Sequence, residues 1–302
     1  MGTQFQLMFI QRFKGKVLFN VPMREYTSIG IGGPADVMAF PKNEADLKDL
    51  LSFADSKKFP VHVFGSGTDI LVRDGGIRGV VVNMSEGFKD VSWKGDTWAE
   101  CGAGVGLARL VEQCRERGLS GIEFAAGIPG TVGGAVTMNA GAYGGEMQDV
   151  VDGVEVLGRK GKKGFISKAD IGFDYRKTAL PKGSVITRAH MSFKKKGVGE
   201  IEERIKEVRG RRKLTSPIKF PNAGSVFKNP AGEAAGKLIE EVGLKGERVG
   251  DAQISEVHAN YIVNRGRAEA RDVLTLMARV RDSVYSMKGI VLEPEIKVVG
   301  EE

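Results

Sequence analysis

Cysteine and histidine are scarce in this sequence of 302 residues, which contains two cysteines and three histidines. Cys101 and Cys114 are too few for a disulfide framework and too far apart for a CxxC metal or redox motif. The histidines lack metal-ligand spacing, so we interpret them as structural and predict no metal site. This cysteine usage favours a reducing compartment, and we expect a cytoplasmic protein.

Long apolar runs are also missing, and their absence argues against a membrane protein. No run reaches the roughly 18 apolar residues of a membrane span, so we expect no membrane insertion. The segment Phe5–Phe13 lacks the basic start of a secretory signal, and we expect no signal peptide. Hydrophobic residues make up 41% of the chain and charged residues 27%. These shares are typical of globular proteins and exclude disorder and collagen-like structure.

Glycine and positive charge are the two excesses in the composition. The chain contains 42 glycines, about twice the usual share of roughly 7%, without a triplet period. Its net charge is +7, which favours an anionic partner such as nucleic acid, an acidic membrane or a phosphorylated small molecule. Charge alone does not choose among these classes.

Hydrophobic periodicity indicates an α+β fold, because helical stripes and short strands follow each other without a regular repeat. Asn43 is the expected N-cap of one helix, and a terminal strand is predicted over Ile290–Val299. The segment Gly199–Lys213 is acidic first and basic later, which suits a helix dipole. The residues predicted to form buried helical stripes are Leu47, Leu50, Leu51 and Ala54, then Leu107, Leu110, Val111 and Cys114, and later Val273, Leu274, Met277, Val280 and Val284.

Three glycine-rich clusters lie in the first half of the chain, at residues 30–34, 65–69 and 127–134. Such clusters can expose backbone N–H groups to a diphosphate, because glycine has no Cβ in the way. One cluster alone indicates a tight turn, but three in a basic chain indicate a bound dinucleotide. Rossmann-like glycines at Gly102–Gly106 and P-loop-like residues at Gly232–Lys237 both lack decisive residues of those motifs.

Polar groups in rigid or apolar surroundings mark the second half. Ser225 stands between Ala-Gly and Val-Phe, where its hydroxyl is either a positioned proton donor or a turn residue. No histidine or cysteine lies nearby in sequence to act as a base, so proton transfer is favoured over serine hydrolase chemistry. Tyr175-Arg176 and Leu292–Glu295 are the other two segments of this kind.

The longest motifs resemble the UDP-N-acetylenolpyruvoylglucosamine reductase family. They are Gly121–Gly141, Ala223–Pro230 and Leu292–Glu295, and the resemblance extends from Ile29 to Gly300. It implies an α+β fold, in which a PCMH-type FAD-binding domain of two subdomains precedes a C-terminal α+β substrate-binding domain. The implied boundaries are 1–83 and 84–198 for the two subdomains and 199–302 for the substrate-binding domain.

The resemblance also implies an activity in the synthesis of peptidoglycan precursors. A hydride passes from NADPH to FAD and then to C3 of UDP-N-acetylglucosamine enolpyruvate, which yields UDP-N-acetylmuramate. The histidine-bearing motif of covalently flavinylated relatives is missing, so FAD is expected to be bound non-covalently.

Site residues follow from the same motifs. Ser225 is implied to protonate C2, while Arg176 and Glu295 polarise the enolpyruvyl carboxylate. The residues implied to bind substrate are Tyr175, Lys213, Lys228 and Asn229. The residues implied to contact FAD are Ile31, Gly32, Gly33, Gly65, Ser66, Gly67, Thr68, Asp69, Gly127, Ile128, Pro129, Gly130, Thr131, Gly133, Gly134, Ala135 and Asn139.

Two departures and two alternatives accompany this interpretation. Asp69 replaces the asparagine usual in the family, and the short interval from Arg176 to Ser225 matches a compact subclass without a tyrosine-bearing insertion. One alternative is a PCMH-type flavin oxidase that acts on an alcohol. The other is a nucleic-acid-binding protein that uses the basic residues of 209–213, but it lacks interleaved aromatic residues, so we expect no nucleic-acid partner. The sequence assigns no oligomeric state.

Overall fold

The computed structural model describes residues 3–302, with side chains from Gln6 onward. In this part of the chain the α-helices are α1 (Thr3–Arg12), α2 (Glu44–Ser56), α3 (Leu107–Glu116), α4 (Val132–Thr137), α5 (Lys168–Ile171), α6 (Val198–Thr215), α7 (Ala235–Glu241) and α8 (Ala270–Lys288). The strands are β1 (Lys16–Pro22), β2 (Pro34–Phe40), β3 (Val61–Phe64), β4 (Ile70–Val72), β5 (Ile77–Asn83), β6 (Val91–Lys94), β7 (Trp98–Gly102), β8 (Leu119–Ser120), β9 (Gly141–Ala142), β10 (Gly145–Glu146), β11 (Val151–Leu157), β12 (Lys163–Ser167), β13 (Phe173–Asp174), β14 (Lys177–Thr178), β15 (Val185–Ser192), β16 (Lys194–Lys195), β17 (Arg248–Val249), β18 (Ala252–Ile254), β19 (Ile262–Asn264) and β20 (Lys297–Val299).

The chain divides into two compact units, and each contains its own hydrophobic core. Both units are discontinuous in sequence. Unit 1 comprises the chain up to Phe19, Val37–Ser66 and Gly79–Gly210, and unit 2 comprises Asn20–Asp36, Gly67–Arg78 and Arg211–Glu302.

Unit 1 is built around a five-stranded antiparallel sheet with the order β12-β11-β15-β7-β6. The predicted stripes of α2 and α3 are buried in its core, which confirms those helices. The side chain of Asn43 accepts from the N–H of Asp46 at 2.9 Å, so the expected N-cap is confirmed. A second sheet has the order β1-β2-β5-β3, and its β3 and β5 run parallel.

Both cysteines lie in the core of unit 1 as free thiols. Burial raises the pKa of Cys101 to about 12, and burial also raises the pKa of Cys114. Because the thiolate is the reactive form, both side chains behave as small apolar groups at neutral pH.

Unit 2 combines a three-stranded antiparallel sheet, β17-β18-β19, with α7 and α8. The stripe predicted for α8 is confirmed at Val273, Met277, Val280 and Val284, which are buried, whereas Leu274 is only partly buried. The helix ends at Gly289, whose φ of 67° is the left-handed C-cap conformation. Among residues 3–302, no helix is long and apolar enough to cross a membrane.

The strand predicted over Ile290–Val299 is wrong in its extent. The structure has a strand only at Lys297–Val299, where β20 pairs in parallel with β4. Pro294 lacks a backbone N–H and forms only an isolated bridge with Phe227. Within the predicted range Leu292 and Ile296 are buried, whereas Val291 is exposed.

Two half-buried histidines are expected to make the fold sensitive to acid. Burial lowers the pKa of His62 and of His258 below the ordinary value of about 6.5. As the pH falls through that value, the unfolded chain gains protons that the folded protein does not, so the free energy of unfolding decreases. Replacing both histidines by asparagine should flatten this acid slope in urea titrations at several pH values. An unchanged slope would contradict the assignment.

Candidate functional site

In unit 1, two of the three glycine clusters lie against each other. A Cβ atom placed on Gly65 would stand 2.5 Å from Oγ1 of Thr131, so a larger residue would displace that side chain. Gly65 follows β3, and Thr131 is the N-cap of α4, where its hydroxyl accepts from the N–H of Gly134 at 3.4 Å. The fold thus joins the end of one strand to the start of one short helix.

Backbone N–H groups at this junction differ in their availability. The N–H groups of Val132 and Gly133 donate to protein carbonyls at 2.8 and 2.9 Å, and that of Gly134 is capped by Thr131. Within the described part of the chain, the N–H groups of Gly65, Ser66, Gly130 and Thr131 meet no protein acceptor. This cradle of unpaired donors without bulky side chains fits the diphosphate of a dinucleotide such as FAD.

Arg176 lies in a tight turn of unit 1. The paired strands β13 and β14 leave only Tyr175 and Arg176 between them. Arg176 has a φ of 57°, a left-handed conformation that costs a non-glycine residue roughly 1–2 kcal/mol. Its guanidinium donates to the carbonyl of Gly141 at 2.9 Å and lies 4.9 Å from the ring centre of Tyr175. The fold therefore fixes the position of this cation despite the backbone strain, a combination that is typical of functional sites.

Asn139 ties this turn to the segment after α4. It is fully buried and has a φ of 41°. Its amide donates to Oε2 of Glu146 at 3.1 Å and to the carbonyl of Asp174 at 3.2 Å, and its Oδ1 accepts from the N–H of Gln148 at 3.0 Å. The side chain thus serves internal positioning, and the FAD contact implied for Asn139 stays a prediction.

In unit 2, the loop that carries the first glycine cluster is held by a buried threonine. The hydroxyl of Thr27 donates to the carbonyl of Ile31 at 2.8 Å and accepts from its N–H at 3.3 Å. The carbonyl of Thr27 accepts from the N–H of Gly30 at 3.1 Å, and Gly33 donates to the carbonyl of Arg73 at 3.1 Å. Ile31 is buried in the core of unit 2, so the loop is anchored on both sides.

Ser28 connects this loop to two other predicted site segments of unit 2. Its hydroxyl donates to the carbonyl of Asn222 at 2.7 Å, three residues before Ser225. Its N–H donates to the carbonyl of Gly67 at 2.9 Å. Gly67 has a φ of 65°, and a Cβ atom there would stand 2.1 Å from the carbonyl oxygen of Tyr26. Residues of the first two clusters and the serine segment thus form one constellation.

A short antiparallel pairing joins the segment that follows Ser225 to the segment of Glu295. The carbonyl of Val226 accepts from the N–H of Glu295 at 2.8 Å, and the N–H of Lys228 donates to the carbonyl of Glu293 at 2.9 Å. Ser225 is partly buried, and its hydroxyl bonds to no protein group among the described residues. A hydroxyl in this setting is available to a ligand.

The second cluster reaches the same constellation through the parallel pair of β20 and β4. The N–H of Lys297 donates to the carbonyl of Asp69 at 3.0 Å. Glu295 precedes Lys297 by two residues. Asp69 and the strand segment of Glu295 are therefore neighbours in unit 2.

The implied substrate residues of unit 2 have different surroundings. Lys228 is largely buried and forms an ion pair of 2.6 Å with Glu293. The side chain of Asn229 accepts from the N–H of Ala235 at 3.0 Å, which holds the start of α7. Lys213 is exposed in the last turn of α6.

The structure thus gathers the implied site residues into two groups. The group in unit 1 consists of Gly65, Ser66, Gly127, Ile128, Pro129, Gly130, Thr131, Gly133, Gly134, Ala135, Asn139, Tyr175 and Arg176. The group in unit 2 consists of Ile31, Gly32, Gly33, Gly67, Thr68, Asp69, Lys213, Ser225, Lys228, Asn229 and Glu295.

Sequence reasoning missed the residues that hold these groups in place. Thr27, Ser28 and Asn222 fix the loops of unit 2, and Asn260 and Asn264 bond to segments far away in sequence. The sequence Asn-Tyr-Ile-Val-Asn at residues 260–264 could have indicated two of them, because two amide side chains flank an apolar segment there. Buried amides of this kind must find hydrogen-bond partners, but the sequence does not identify them.

Comparisons with protein-family models cover most of the chain. A model described as FAD binding domain matches residues 35–163. A model described as UDP-N-acetylenolpyruvoylglucosamine reductase, C-terminal domain, matches residues 216–299.

Similar proteins match almost from end to end. UDP-N-acetylenolpyruvoylglucosamine reductase 2 of Symbiobacterium thermophilum is 44% identical over 98% of this chain and 96% of its own length. The reductase of Moorella thermoacetica is 46% identical over 95% of both chains. The crystal structure of UDP-N-acetylenolpyruvylglucosamine reductase from Thermus caldophilus superposes with a TM-score of 0.80 and 40% identity, and the match covers 94% of this chain and 98% of that one.

Proposed function

The chain belongs to the UDP-N-acetylenolpyruvoylglucosamine reductase family, and from that premise we propose that it reduces UDP-N-acetylglucosamine enolpyruvate to UDP-N-acetylmuramate with NADPH. The observation that carries the proposal is the constellation of unit 2, where Val226, next to Ser225, pairs with Glu295, and Ser28 bonds the serine segment to the loop of the first glycine cluster. It combines a proton donor, a carboxyl group and glycine-cluster backbone in one place.

Membership of the family confirms the fold class and the cofactor that the sequence predicted. The chain is an FAD-dependent oxidoreductase of α+β fold, with a PCMH-type FAD-binding domain followed by the C-terminal domain of the reductases. The assignment of residues 1–83 and 84–198 to two cofactor subdomains and of 199–302 to substrate binding is part of our proposal.

FAD would be held non-covalently by residues of the three glycine clusters. The N–H groups of Gly65, Ser66, Gly130 and Thr131, which meet no acceptor in the described part of the chain, support this placement for the part that lies in unit 1. When bound, FAD supplies the two-electron carrier that amino-acid side chains lack. Closely packed glycine backbone lets the protein approach a diphosphate without side chains in between.

The net reaction adds a hydride at C3 and a proton at C2 of the enolpyruvyl group while NADPH is oxidised to NADP⁺. Ser225 would hold the proton that reaches C2, because its hydroxyl has no partner among the residues that the structure describes. Arg176 and Glu295 would orient the substrate carboxylate and stabilise the negative charge that develops beside it. The fixed guanidinium of Arg176 supports this role, since a preorganised cation need not reorganise during reaction.

Substrate binding would use Tyr175, Lys213, Lys228 and Asn229. The cations among them suit the diphosphate of a UDP sugar. The product belongs to peptidoglycan precursor synthesis, so we place the enzyme in the cytoplasm and in cell-wall biogenesis, with the consequences for cell shape and division that this pathway has. The proposal includes no nucleic-acid partner.

The flavin's own colour tests the proposal. Purified protein should be yellow and should release FAD on denaturation. Under anaerobic conditions NADPH should bleach the flavin absorption, and UDP-N-acetylglucosamine enolpyruvate should then restore it. In a parallel experiment, oxygen without the sugar should restore the absorption more slowly. Protein that stays colourless after reconstitution with FAD would refute the enzyme assignment. Reoxidation by oxygen alone, indifferent to the sugar, would instead indicate a flavin oxidase.

A further inference from the structure

Two buried asparagines flank the apolar part of β19 in unit 2, where Asn260 precedes the first strand residue by two positions and Asn264 is the last strand residue. Asn260 is 3% exposed and Asn264 is 5% exposed. Both use their side-chain amides to bond backbone groups from other segments of the chain.

Asn260 is bonded to the backbone that follows Ser225. Its Oδ1 accepts from the N–H of Phe227 at 3.0 Å, and its Nδ2 donates to the carbonyl of Phe227 at 2.8 Å. Its own carbonyl accepts from the N–H of Val226 at 2.8 Å. The N–H of Asn260 donates to Nδ1 of His258 at 3.2 Å, which fixes the asparagine itself. Ser225 is therefore followed directly by two residues that Asn260 holds, Val226 through its backbone carbonyl and Phe227 through its side chain.

Asn264 is bonded to the loop of the first glycine cluster. Its Nδ2 donates to the carbonyls of Ile29 and Gly30 at 3.1 and 3.4 Å. Its Oδ1 accepts from the N–H groups of Gly266 and Ala268 at 2.9 and 3.1 Å. This amide therefore holds the residues immediately before Ile31.

We propose that Asn260 and Asn264 are positioning residues with separate tasks. Asn260 sets the place of the Ser225 hydroxyl relative to the substrate, and Asn264 sets the loop of residues 29–33 for the cofactor. The inference rests on the proposed function, since it assigns the two loops their ligands. The segment of residues 260–264 thus aligns the proton donor and the cofactor loop with each other inside unit 2.

Aspartate provides a matched substitution at both positions. In each case Oδ1 accepts from protein N–H groups and Nδ2 donates to a protein carbonyl, so aspartate keeps the acceptor and loses the donor. An ionised carboxylate would also face the carbonyl oxygen that the amide had bonded. Protonation of the new carboxyl group restores an O–H donor at the same place. Asn260→Asp and Asn264→Asp therefore make the same chemical change at two different loops.

The expected results differ between the variants. Asn260→Asp should leave the dissociation constant of FAD and the rate of flavin reduction by NADPH near wild type. It should slow flavin reoxidation by UDP-N-acetylglucosamine enolpyruvate by up to roughly 10²-fold, the scale of a small misplacement of a reacting group. Asn264→Asp should instead weaken FAD binding to the apoprotein roughly 10-fold, the scale of one lost buried hydrogen bond.

Acid should rescue both variants selectively. As the pH falls and the introduced carboxyl group is protonated, the reoxidation rate of Asn260→Asp should rise relative to wild type at the same pH. The FAD affinity of Asn264→Asp should rise in the same way. A residue that only stabilised the fold would shift the unfolding temperature without this division between reoxidation and FAD binding.

Hydrogen exchange gives a readout that needs no turnover. Asn260→Asp should speed exchange in peptides that cover residues 222–228, and Asn264→Asp in peptides that cover residues 28–33. This measurement also serves if one variant is too unstable for kinetics, because local opening is visible in partly folded material.

The outcomes separate this inference from the proposed function. Wild-type protein that binds FAD and is reoxidised by the UDP sugar supports the proposed function. If both variants then lose FAD affinity and reoxidation alike, or neither loses either, the separate positioning roles are refuted. Wild-type protein that fails in both half-reactions would refute the proposed function and the positioning roles with it.

Discussion

Replacing Ser225 by alanine is expected to slow flavin reoxidation by UDP-N-acetylglucosamine enolpyruvate roughly 10²–10⁴-fold, the range for removing a positioned general acid. FAD binding and flavin reduction by NADPH should stay close to wild type, because neither step uses the hydroxyl. Binding of the UDP sugar should change little, since the lost interaction acts in the transition state.

The surroundings of Ser225 make this expectation specific. Val226 and Phe227 are held by Asn260 on one side and by Glu295 on the other, so alanine should leave the backbone of the segment in place. The hydroxyl has no protein partner among the described residues, so its removal orphans no buried group. The variant should therefore show slower flavin reoxidation with an unchanged free energy of unfolding.

Stopped-flow absorbance of both half-reactions measures the effect. Ser286→Ala is a suitable control, because Ser286 is exposed on α8 and the chemical change is the same. A Ser225→Ala enzyme that reoxidised at nearly the native rate would show that the serine is a turn residue. Equal losses in both half-reactions would also contradict its assignment as the proton donor.

Replacing Gly67 by alanine is expected to weaken FAD binding roughly 10²-fold. A left-handed φ costs alanine roughly 1–2 kcal/mol, and the new Cβ would stand 2.1 Å from the carbonyl oxygen of Tyr26, which is backbone and cannot rotate away. Overpacking of this kind costs about 1–3 kcal/mol more. The displacement should spread to Ser28, whose N–H donates to the carbonyl of Gly67.

Gly95 provides the matched control for this substitution. It has a φ of 60°, close to that of Gly67, but apart from its chain neighbours no heavy atom of the described residues lies within 4 Å of a Cβ built there. Gly95→Ala should therefore show only the backbone cost in urea unfolding and no change in FAD affinity. Fluorescence titration of both apoproteins with FAD measures the difference. Equal FAD affinities in the two variants would refute the role of the close approach at Gly67.

Local structure was predictable here because it depends on near neighbours. The spacing of Leu47, Leu50 and Leu51 predicted a buried helical face, and Asn43 predicted where the helix begins. The same reasoning found α3 and α8, whose glycine stops are visible in the sequence. Motif length gave the family, since long ordered matches depend on identity of residues and not on their contacts.

Long-range pairing was not predictable from periodicity. The bond from Asn264 to Ile29 and the pairing of Lys297 with Ile70 join segments more than two hundred residues apart. Apolar spacing says which face is buried but not against which segment. The extent of the last strand was wrong for the same reason, because its hydrogen-bond partner in β4 decides where it begins.

The discontinuity of unit 2 has a consequence for biosynthesis. Its three segments are separated by long stretches of unit 1, and β4 finds its parallel neighbour only in β20, a few residues from the end of the chain. During synthesis, β4 must therefore wait for its parallel neighbour until residues 297–299 have left the ribosome, although residues 20–36 and 67–78 can already bond to each other. Unit 1 ends at Gly210 and can collapse earlier around its antiparallel sheet. Since distant contacts slow folding, we expect the pairing of β20 with β4 to be a late step in the folding of unit 2.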